Sequence, residues 1–292
     1  MSRRSPTNQN KTPEQIAQAR IAAQLAAEVL TMIAPHIRAG VSTAYLDRLC
    51  NEYIVNVQQA IPANVGYGGF PATVCSSVNH VVCHGIPSEQ QILKDGDIIN
   101  IDVAVIKDGW FGDTSRMYYV GEPSKAARKL VETTYAAMWA GIRAVKPRAT
   151  LGDVGFAIQT VAEKAGYSVV LDYCGHGIGT IYHDDPQVAH YGRPGQGVVL
   201  KPGMLFTIEP MINAGKAPTR ELSDGWTVET RDKSLSAQWE HMVLVTETGF
   251  EVLTLAPGET GAKAQIPNPV PAGAEPVVNA LAATPAAAPS AG

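Results

Sequence analysis

Apolar residues at helical spacing mark the first element near the start of the chain. The run Thr12-Pro13-Glu14-Gln15 has the signature of a capping box, with Pro at the first helical position. Apolar side chains then recur every three or four residues, at Ile16, Ala19, Ala23, Ala26 and Leu30. This pattern, with Pro35 near its end, predicts a helix that presents one apolar face to a core.

Three more helices follow from the same kind of pattern. They begin after Ser42, Ser124 and Thr150, and Gly166 is placed to end the last one. Strand-like apolar runs occur at residues 98–106, 110–120, 169–172, 205–213 and 241–246. Because helices and strands do not alternate strictly, the order favours an α+β fold over a doubly wound parallel sheet.

The two ends of the chain lack the pattern of a packed domain. Residues 1–11 are polar without periodicity, and residues 259–292 are rich in Ala and Pro. Such stretches bury little apolar surface, so we expect both to be disordered. The sequence therefore predicts a single domain over residues 12–258.

Composition narrows the class of protein. Apolar residues make up 45% of the chain, and 23 basic against 27 acidic side chains give a net charge of −4, which argues against DNA binding. We find no apolar run near the roughly 18 residues of a membrane span and no signal-peptide stretch. We therefore expect a cytoplasmic protein without membrane contact, whose four scattered cysteines are reduced thiols.

Two segments of the chain resemble each other and point to a site. Residues 94–102 align with residues 201–209, with Lys, Gly, Ile and a final acid at the same offsets. Each segment opens with a turn and continues as an apolar strand that carries one carboxylate, Asp102 or Glu209. Burying such a carboxylate is costly unless it is paired or binds a metal. If the two halves pack face to face, Asp102 and Glu209 should meet across a pseudo-twofold axis.

Two further carboxylates extend this cluster. Asp108-Gly109 predicts a two-residue hairpin turn that pairs Asp113 with Ala104, which makes Asp113 a diagonal neighbour of Asp102. Glu240, just before the strand at residues 241–246, is the matching candidate in the second half. The second hairpin would then carry a longer loop, around residues 214–236.

His176 stands out among the seven histidines because Gly175 and Gly177 flank it and leave its ring accessible. His84 lies in a turn just before the acidic strand, and His183 follows His176 by seven residues. The remaining four are expected to be structural or surface residues, namely His36, His80, His190 and His241. Four carboxylates and one imidazole form an oxygen-rich set that suits a pair of Mn, Fe, Co or similar divalent ions better than a structural zinc site.

Four motifs, in order, resemble those of the type I methionine aminopeptidases. They are residues 76–87 (SSVNHVVCHGIP), 95–121, 174–192 (CGHGIGTIYHDDPQVAHYG) and 203–212 (GMLFTIEPMI), followed by residues 239–241 (WEH). The resemblance covers residues 12–258. It implies the pita-bread fold, with two pseudo-twofold-related α/β halves around an antiparallel sheet, and removal of an initiator methionine that precedes a small second residue.

The resemblance also implies residue roles. The metal ligands would be Asp102, Asp113, His176, Glu209 and Glu240, with Asp113 and Glu240 bridging both ions. His84 and His183 would contact the substrate and its oxyanion, and Glu209 would handle the proton of the attacking water. The substrate pocket would be lined by Tyr67, Phe70, Cys75, Tyr182 and Trp226. A Na or K site would involve Asn79, Val81 and Ser236. The chain departs from the usual pattern at Asn64 and Tyr182, where many members have Cys and Phe.

The implied partners are the N-termini of nascent polypeptides and the ribosome, with the protein acting as a monomer. Two alternatives stay open at this point. One is an Xaa-Pro aminopeptidase-like hydrolase, which usually carries an additional N-terminal domain for which we expect no room before Asp102. The other is an inactive binding protein on the same fold, which the loss of a ligand would mark.

Overall fold

The helices begin where the sequence predicts them. The computed structural model describes residues 11–264 and 266, and within these the α-helices are α1 (Pro13–Ile33), α2 (Thr43–Glu52), α3 (Lys125–Ala144) and α4 (Leu151–Lys164). Single helical turns follow α1 at Ala34–His36 and α2 at Tyr53–Val57, and another lies at Tyr67–Gly69. Thr12 and Gln15 form the predicted capping box of α1, and the Ser124 hydroxyl accepts a hydrogen bond from the Ala127 N–H at the start of α3.

Short strands supply the rest of the described fold. They are β1 (Ile61–Pro62), β2 (Val74–Val78), β3 (Val81–Cys83), β4 (Ile98–Lys107), β5 (Trp110–Tyr119), β6 (Ser168–Val169), β7 (Gly175–Gly177), β8 (Asp184–Val188), β9 (Leu205–Ile208), β10 (Met211–Asn213), β11 (Thr219–Glu221), β12 (Val228–Thr230), β13 (Ser236–Gln238), β14 (His241–Val245) and β15 (Phe250–Val252). All pairings between them are antiparallel, which confirms the predicted α+β class.

The two halves repeat one arrangement. In the first, β4 lies between β2 and β5, and helices α1 and α2 precede the set. In the second, β9 lies between β7 and β14, and helices α3 and α4 precede it. A bridge between Ser115 on β5 and Glu240 joins the halves. This arrangement is the one expected of the repeat found in the sequence.

Each half has a core of its own. The apolar faces of α1 and α2 pack on the first sheet through a buried set that includes Leu30, Ile33, Leu46, Ile54 and Ile99. Helices α3 and α4 cover the second sheet through another set that includes Leu130, Tyr135, Met138, Phe206 and Trp239. Each fully buried large apolar side chain contributes about 1.5–3 kcal/mol, so these two cores hold the facing sheets rigidly in place.

The first half of helix α1 lies close to the sheet because its inner face there is made of alanines. A Cβ atom at Gly112 on β5 would lie 2.1 Å from the Ala22 carbonyl oxygen, so only glycine permits this approach. The Tyr118 hydroxyl donates to the Leu30 carbonyl at 2.6 Å and fixes the same contact. By length and composition Pro13–His36 could cross a membrane, which our reading of the sequence missed. Its buried alanine face and its Arg20–Glu251 ion pair are features of a helix in a folded core.

Three segments differ from expectation. The strand predicted at residues 205–213 is interrupted between β9 and β10, where Pro210 has no N–H to donate to a neighbour. The long loop predicted around residues 214–236 contains the β11–β12 hairpin, which pairs with β3. The strand predicted at residues 169–172 is shorter and begins at Ser168.

The packed segment continues past residue 258, where we placed the end of the domain. Glu259 is buried, its Oε1 accepts a hydrogen bond from the Tyr135 hydroxyl at 2.9 Å, and its Oε2 lies 3.7 Å from the Arg116 guanidinium. His241 Nε2 lies 3.2 Å from the same carboxylate. The predicted tail from residue 267 onward, and residues 1–10, lie outside the described residues.

Candidate active site

The first two carboxylates occupy the hairpin register that the sequence predicts. Asp102 lies opposite Ser115, and Asp113 lies opposite Ala104, so the two acids are diagonal neighbours on β4 and β5. The turn that sets this register has positive φ at both central residues, 49° at Asp108 and 81° at Gly109, as a type I′ turn requires.

The second half supplies Glu209 and Glu240. Glu209 directly follows β9, and Glu240 directly precedes β14, whose His241 pairs with Ile208. By this register the repeat counterpart of Glu240 is Ser115. The sequence analysis matched Glu240 with Asp113 instead, which lies two residues before Ser115. The Glu240 N–H donates to the Ser115 carbonyl at 3.2 Å, so Ser115 and Glu240 face each other where the halves meet.

His176 completes this group of side chains. Its Nδ1 lies 3.1 Å from the Gly177 carbonyl, which can only accept, so Nδ1 is the donor and Nε2 faces the cavity. Nε2 lies 3.4 Å from Asp113 Oδ2 and 3.6 Å from Glu209 Oε1. One ligand atom each from Asp113, His176 and Glu240 lie within 4.8 Å of one another.

The carboxylates are crowded enough to resist ionisation together. Burial, reinforced by the charges of Asp113 and Glu209, holds the pKa of Asp102 well above its ordinary range. Burial and the Asp113 charge do the same to the pKa of Glu240. Burial alone would lower the pKa of His176, but its hydrogen bond with Asp113 and the charge of Glu209 raise it. A divalent cation among these side chains would remove the repulsion.

The donor set fits divalent metal ions. Within the described residues Asp113 Oδ1 is fully buried and has no hydrogen-bond partner, so this carboxylate oxygen can take a cation. Four carboxylates with one imidazole match the preference of Mn, Fe or Co for oxygen-rich sites with one or few nitrogen ligands. These residues could therefore hold the metal pair that the sequence suggests.

A cleft of about 550 Å³, measured to include its open mouth, contains the whole candidate site. It is lined by Asn64, Tyr67, Phe70, Cys75, His84, Asp102, Asp113, His176, Tyr182, His183, Glu209, Trp226 and Glu240. Every residue that the resemblance places in the metal, catalytic and substrate-pocket groups thus lines one cleft. The rings of Phe70 and Trp226 meet edge to face at 5.1 Å and form one wall of an apolar slot.

Two further histidines flank the cluster and are uncharged near neutral pH. Burial, together with the nearby His176 and His84, lowers the pKa of His183 to about 3. Burial also lowers the pKa of His84, whose ring lies 6.1 Å from that of Trp226. His183 Nδ1 lies 2.7 Å from the Tyr67 hydroxyl. Neutral imidazoles in these positions can donate hydrogen bonds to a bound carbonyl.

Glu209 is hydrogen-bonded to three residues that the sequence analysis did not assign to the site. The Thr207 hydroxyl donates to Glu209 Oε1 at 2.8 Å, and the Gln238 amide donates to Oε2 at 3.3 Å. The Glu209 N–H donates to the buried His190 Nε2 at 3.1 Å, so His190 has a structural role, one of the two that we expected for it. Side chains alternate between the two faces along strand β9, so Thr207 lies on the same face as Glu209. This alternation is the one sequence signal that could have identified Thr207.

The residues suggested for a monovalent cation lie outside the cleft. The Ser236 N–H donates to the Asn79 carbonyl at 2.9 Å, so these two residues are adjacent. The Asn79 amide donates to Asp97 at 2.8 Å, and Val81 pairs with Glu229. An ion here would therefore be held by backbone carbonyls rather than by the Asn79 side chain.

Comparisons with known proteins give a consistent result. The family model of metallopeptidase family M24 matches residues 17–247. The methionine aminopeptidase of Escherichia coli strain K12 is 56% identical over 250 residues, which cover 86% of this chain and 95% of that protein. The crystal structure of methionine aminopeptidase from Rickettsia prowazekii matches with a TM-score of 0.84 and 54% identity, over 85% of this chain and 100% of that chain. Prolidase from Pyrococcus furiosus, at 24% identity and a TM-score of 0.69 over 85% of this chain and 66% of that chain, is similar in fold alone.

Proposed function

The chain belongs to metallopeptidase family M24, and from that premise we propose that it removes the N-terminal methionine from peptides and newly made proteins. It is a metal-dependent hydrolase with the pita-bread fold. The observation that carries the proposal is the convergence of four carboxylates and His176 in one cleft, beside an apolar slot and two neutral histidines.

The metal ions would be held by the carboxylates and His176. In this proposal Asp102, Asp113, His176, Glu209 and Glu240 would hold two divalent ions, Co, Mn, Fe or similar. When bound, such a pair lowers the pKa of a water molecule and polarises the carbonyl of the first peptide bond.

The protein's own groups would then manage protons and charge. Glu209 accepts the proton of the attacking water and passes it toward the leaving amine, and Thr207 and Gln238 hold its carboxylate in place. In this role the Tyr67 hydroxyl, 2.7 Å from His183 Nδ1, would donate to that nitrogen, so that His183 carries its proton on Nε2 and donates it to the developing oxyanion. His84, which lines the same cleft, would donate to the substrate backbone.

The apolar slot would select the first side chain. Tyr67, Phe70, Cys75, Tyr182 and Trp226 enclose a space beside the metal cluster that suits an unbranched thioether side chain. Since this space is confined, a small second residue is expected to be preferred.

Several finer features belong to the same proposal. A Na or K ion would be held near Asn79, Val81 and Ser236. The protein would work as a monomer in the cytoplasm, on N-termini that emerge from the ribosome. These features follow from the resemblance to type I methionine aminopeptidases.

A peptide cleavage assay tests the function directly. Metal-free protein is reconstituted with Mn, Co or Fe and given a Met-Gly-Met peptide, its Leu-Gly counterpart, its N-acetyl counterpart and an Xaa-Pro peptide. The proposal requires release of free methionine from the unblocked Met peptide alone. Cleavage of the Xaa-Pro peptide would instead favour a proline-specific hydrolase, and no cleavage by metal-loaded protein would favour a binding protein.

A further inference from the structure

A buried pair of polar side chains, Asn64 and Tyr182, forms part of the cleft wall. Asn64 is 6% exposed and Tyr182 is 7% exposed. The Tyr182 hydroxyl donates to Asn64 Oδ1 at 2.7 Å. A buried hydroxyl or amide that loses its partner is costly, so each of these residues depends on the other.

The amide of Asn64 is itself held in one orientation. Its Nδ2 donates to the Thr73 carbonyl at 3.1 Å, and since a carbonyl can only accept, Oδ1 must face Tyr182. The Thr73 N–H donates to Asp47 Oδ1 on helix α2 at 2.8 Å. A continuous set of hydrogen bonds therefore runs from helix α2 to the hydroxyl of Tyr182.

The ring of Tyr182 lies against the histidines of the site. It stacks on His183 with ring centroids 4.1 Å apart and an interplanar angle of 27°. It meets His176 edge to face at 5.9 Å and Tyr67 edge to face at 4.9 Å, and it stacks on Phe111 at 5.1 Å and 13°. Stacking between flat rings resists separation but permits sliding in the ring plane, and the hydroxyl bond to Asn64 opposes that sliding.

We propose that Asn64 is a positioning residue that acts through Tyr182 to fix the imidazole of His183 over the metal cluster. The inference rests on the proposed function, in which His183 donates to the oxyanion. A donor must lie within a few tenths of an ångström of its productive position, and a displacement of about 1 Å can cost about a hundredfold in rate. Asn64 would thus affect the reaction without touching the reacting atoms.

The variants N64A and Y182F, and the double variant, test this inference. Both single changes should lower kcat by about tenfold or more, while KM and the bound metal content stay near the parent values. Because the two side chains act as one unit, the double variant should be no slower than either single variant. Because Y182F keeps the aromatic ring, a loss of activity in this variant is not explained by a simple folding defect.

A matched control and a spectroscopic readout complete the design. Asn51 donates to the Thr73 hydroxyl at 2.9 Å but does not line the cleft, so N51A should leave kcat unchanged. In histidine-labelled protein, the His183 ring signals should shift in N64A and Y182F while those of His36 stay in place, with H183Q providing the assignment.

The outcomes separate the inference from the proposed function. Parent protein that releases no methionine with any metal would overturn the proposed function itself. Active parent protein with unchanged kcat in N64A and Y182F would overturn only the positioning role. So would effects that multiply in the double variant, or an N51A variant that is slowed as much as N64A.

Discussion

Replacing Glu209 with Gln should change how the stability of the metal-free protein depends on pH. Burial raises the pKa of Glu209 from its ordinary 4.5 to about 7, with His176 opposing the shift and Asp113 adding to it. A carboxyl with a raised pKa favours the folded state most when it is protonated. Its contribution to stability is therefore complete below about pH 4.5 and is lost as the pH rises to about 7.

The size of the effect follows from the shift in the pKa. One pKa unit corresponds to about 1.4 kcal/mol, so a change from 4.5 to about 7 corresponds to about 3 kcal/mol in the free energy of unfolding. The E209Q variant has no such proton equilibrium. Relative to the parent, its stability should rise by about 3 kcal/mol between about pH 4.5 and pH 7.5. His183 and His190, whose pKa values burial lowers to about 3, titrate in both proteins and cancel in the difference. In addition to burial, the Glu209 charge raises the pKa of Asp102 and Glu240, so its removal lowers both pKa values and adds to the rise in stability.

Urea unfolding of both proteins in the presence of a chelator, at intervals across this pH range, measures the difference. Adding Mn²⁺ at a thousandfold excess over Kd should then stabilise the parent by about 4 kcal/mol, and by more at the upper end of the pH range. The same addition should stabilise E209Q less. The exposed Glu247 provides a matched control, because E247Q removes a carboxylate without touching the cleft. If the difference in the free energy of unfolding between E209Q and the parent stays constant across this pH range, the cost that we assign to burying the Glu209 charge is refuted.

Three further predictions concern single side chains. D102N should lose divalent metal, measured by elemental analysis, together with activity; a metal-loaded and active D102N protein would remove Asp102 from the ligand set. H84A should keep its metal content while kcat falls about a hundredfold or more, and loss of metal would contradict the role given to His84. E259A should lower the free energy of urea unfolding by about 3 kcal/mol, because Arg116 and His241 lose their buried partner; an unchanged value would show that the segment past residue 258 is not held by this carboxylate.

The local rules of strand pairing made the hairpin of the first half predictable. Asp108-Gly109 fixes the register of β4 and β5, and a fixed register determines which face each carboxylate occupies. The prediction that Asp113 lies opposite Ala104 is confirmed. The capping residues Thr12, Ser124 and Thr150 likewise start their helices as predicted, because a cap depends only on residues within one turn.

The features that the sequence did not reveal depend on contacts between distant segments. His190 looks like an ordinary core residue until the break after β9 leaves the Glu209 N–H in need of an acceptor. Glu259 resembles a charged residue in a tail, and only the folded chain brings Arg116 and His241 to it. Such partners lie far away in sequence, and no local pattern marks them.

The junction between the two halves also determines when during folding the site can exist. Hydrogen bonds across it join Thr114 to Glu240 and Asn100 to Gln238, residues 126 and 138 positions apart. Contacts of such sequence separation form late, whereas the β4–β5 hairpin closes locally and quickly. A folding chain would therefore present Asp102 and Asp113 well before Glu209 and Glu240 arrive. Metal capture is expected to coincide with the docking of the second half on the first, so the rate at which a refolding chain acquires metal would report on that last step.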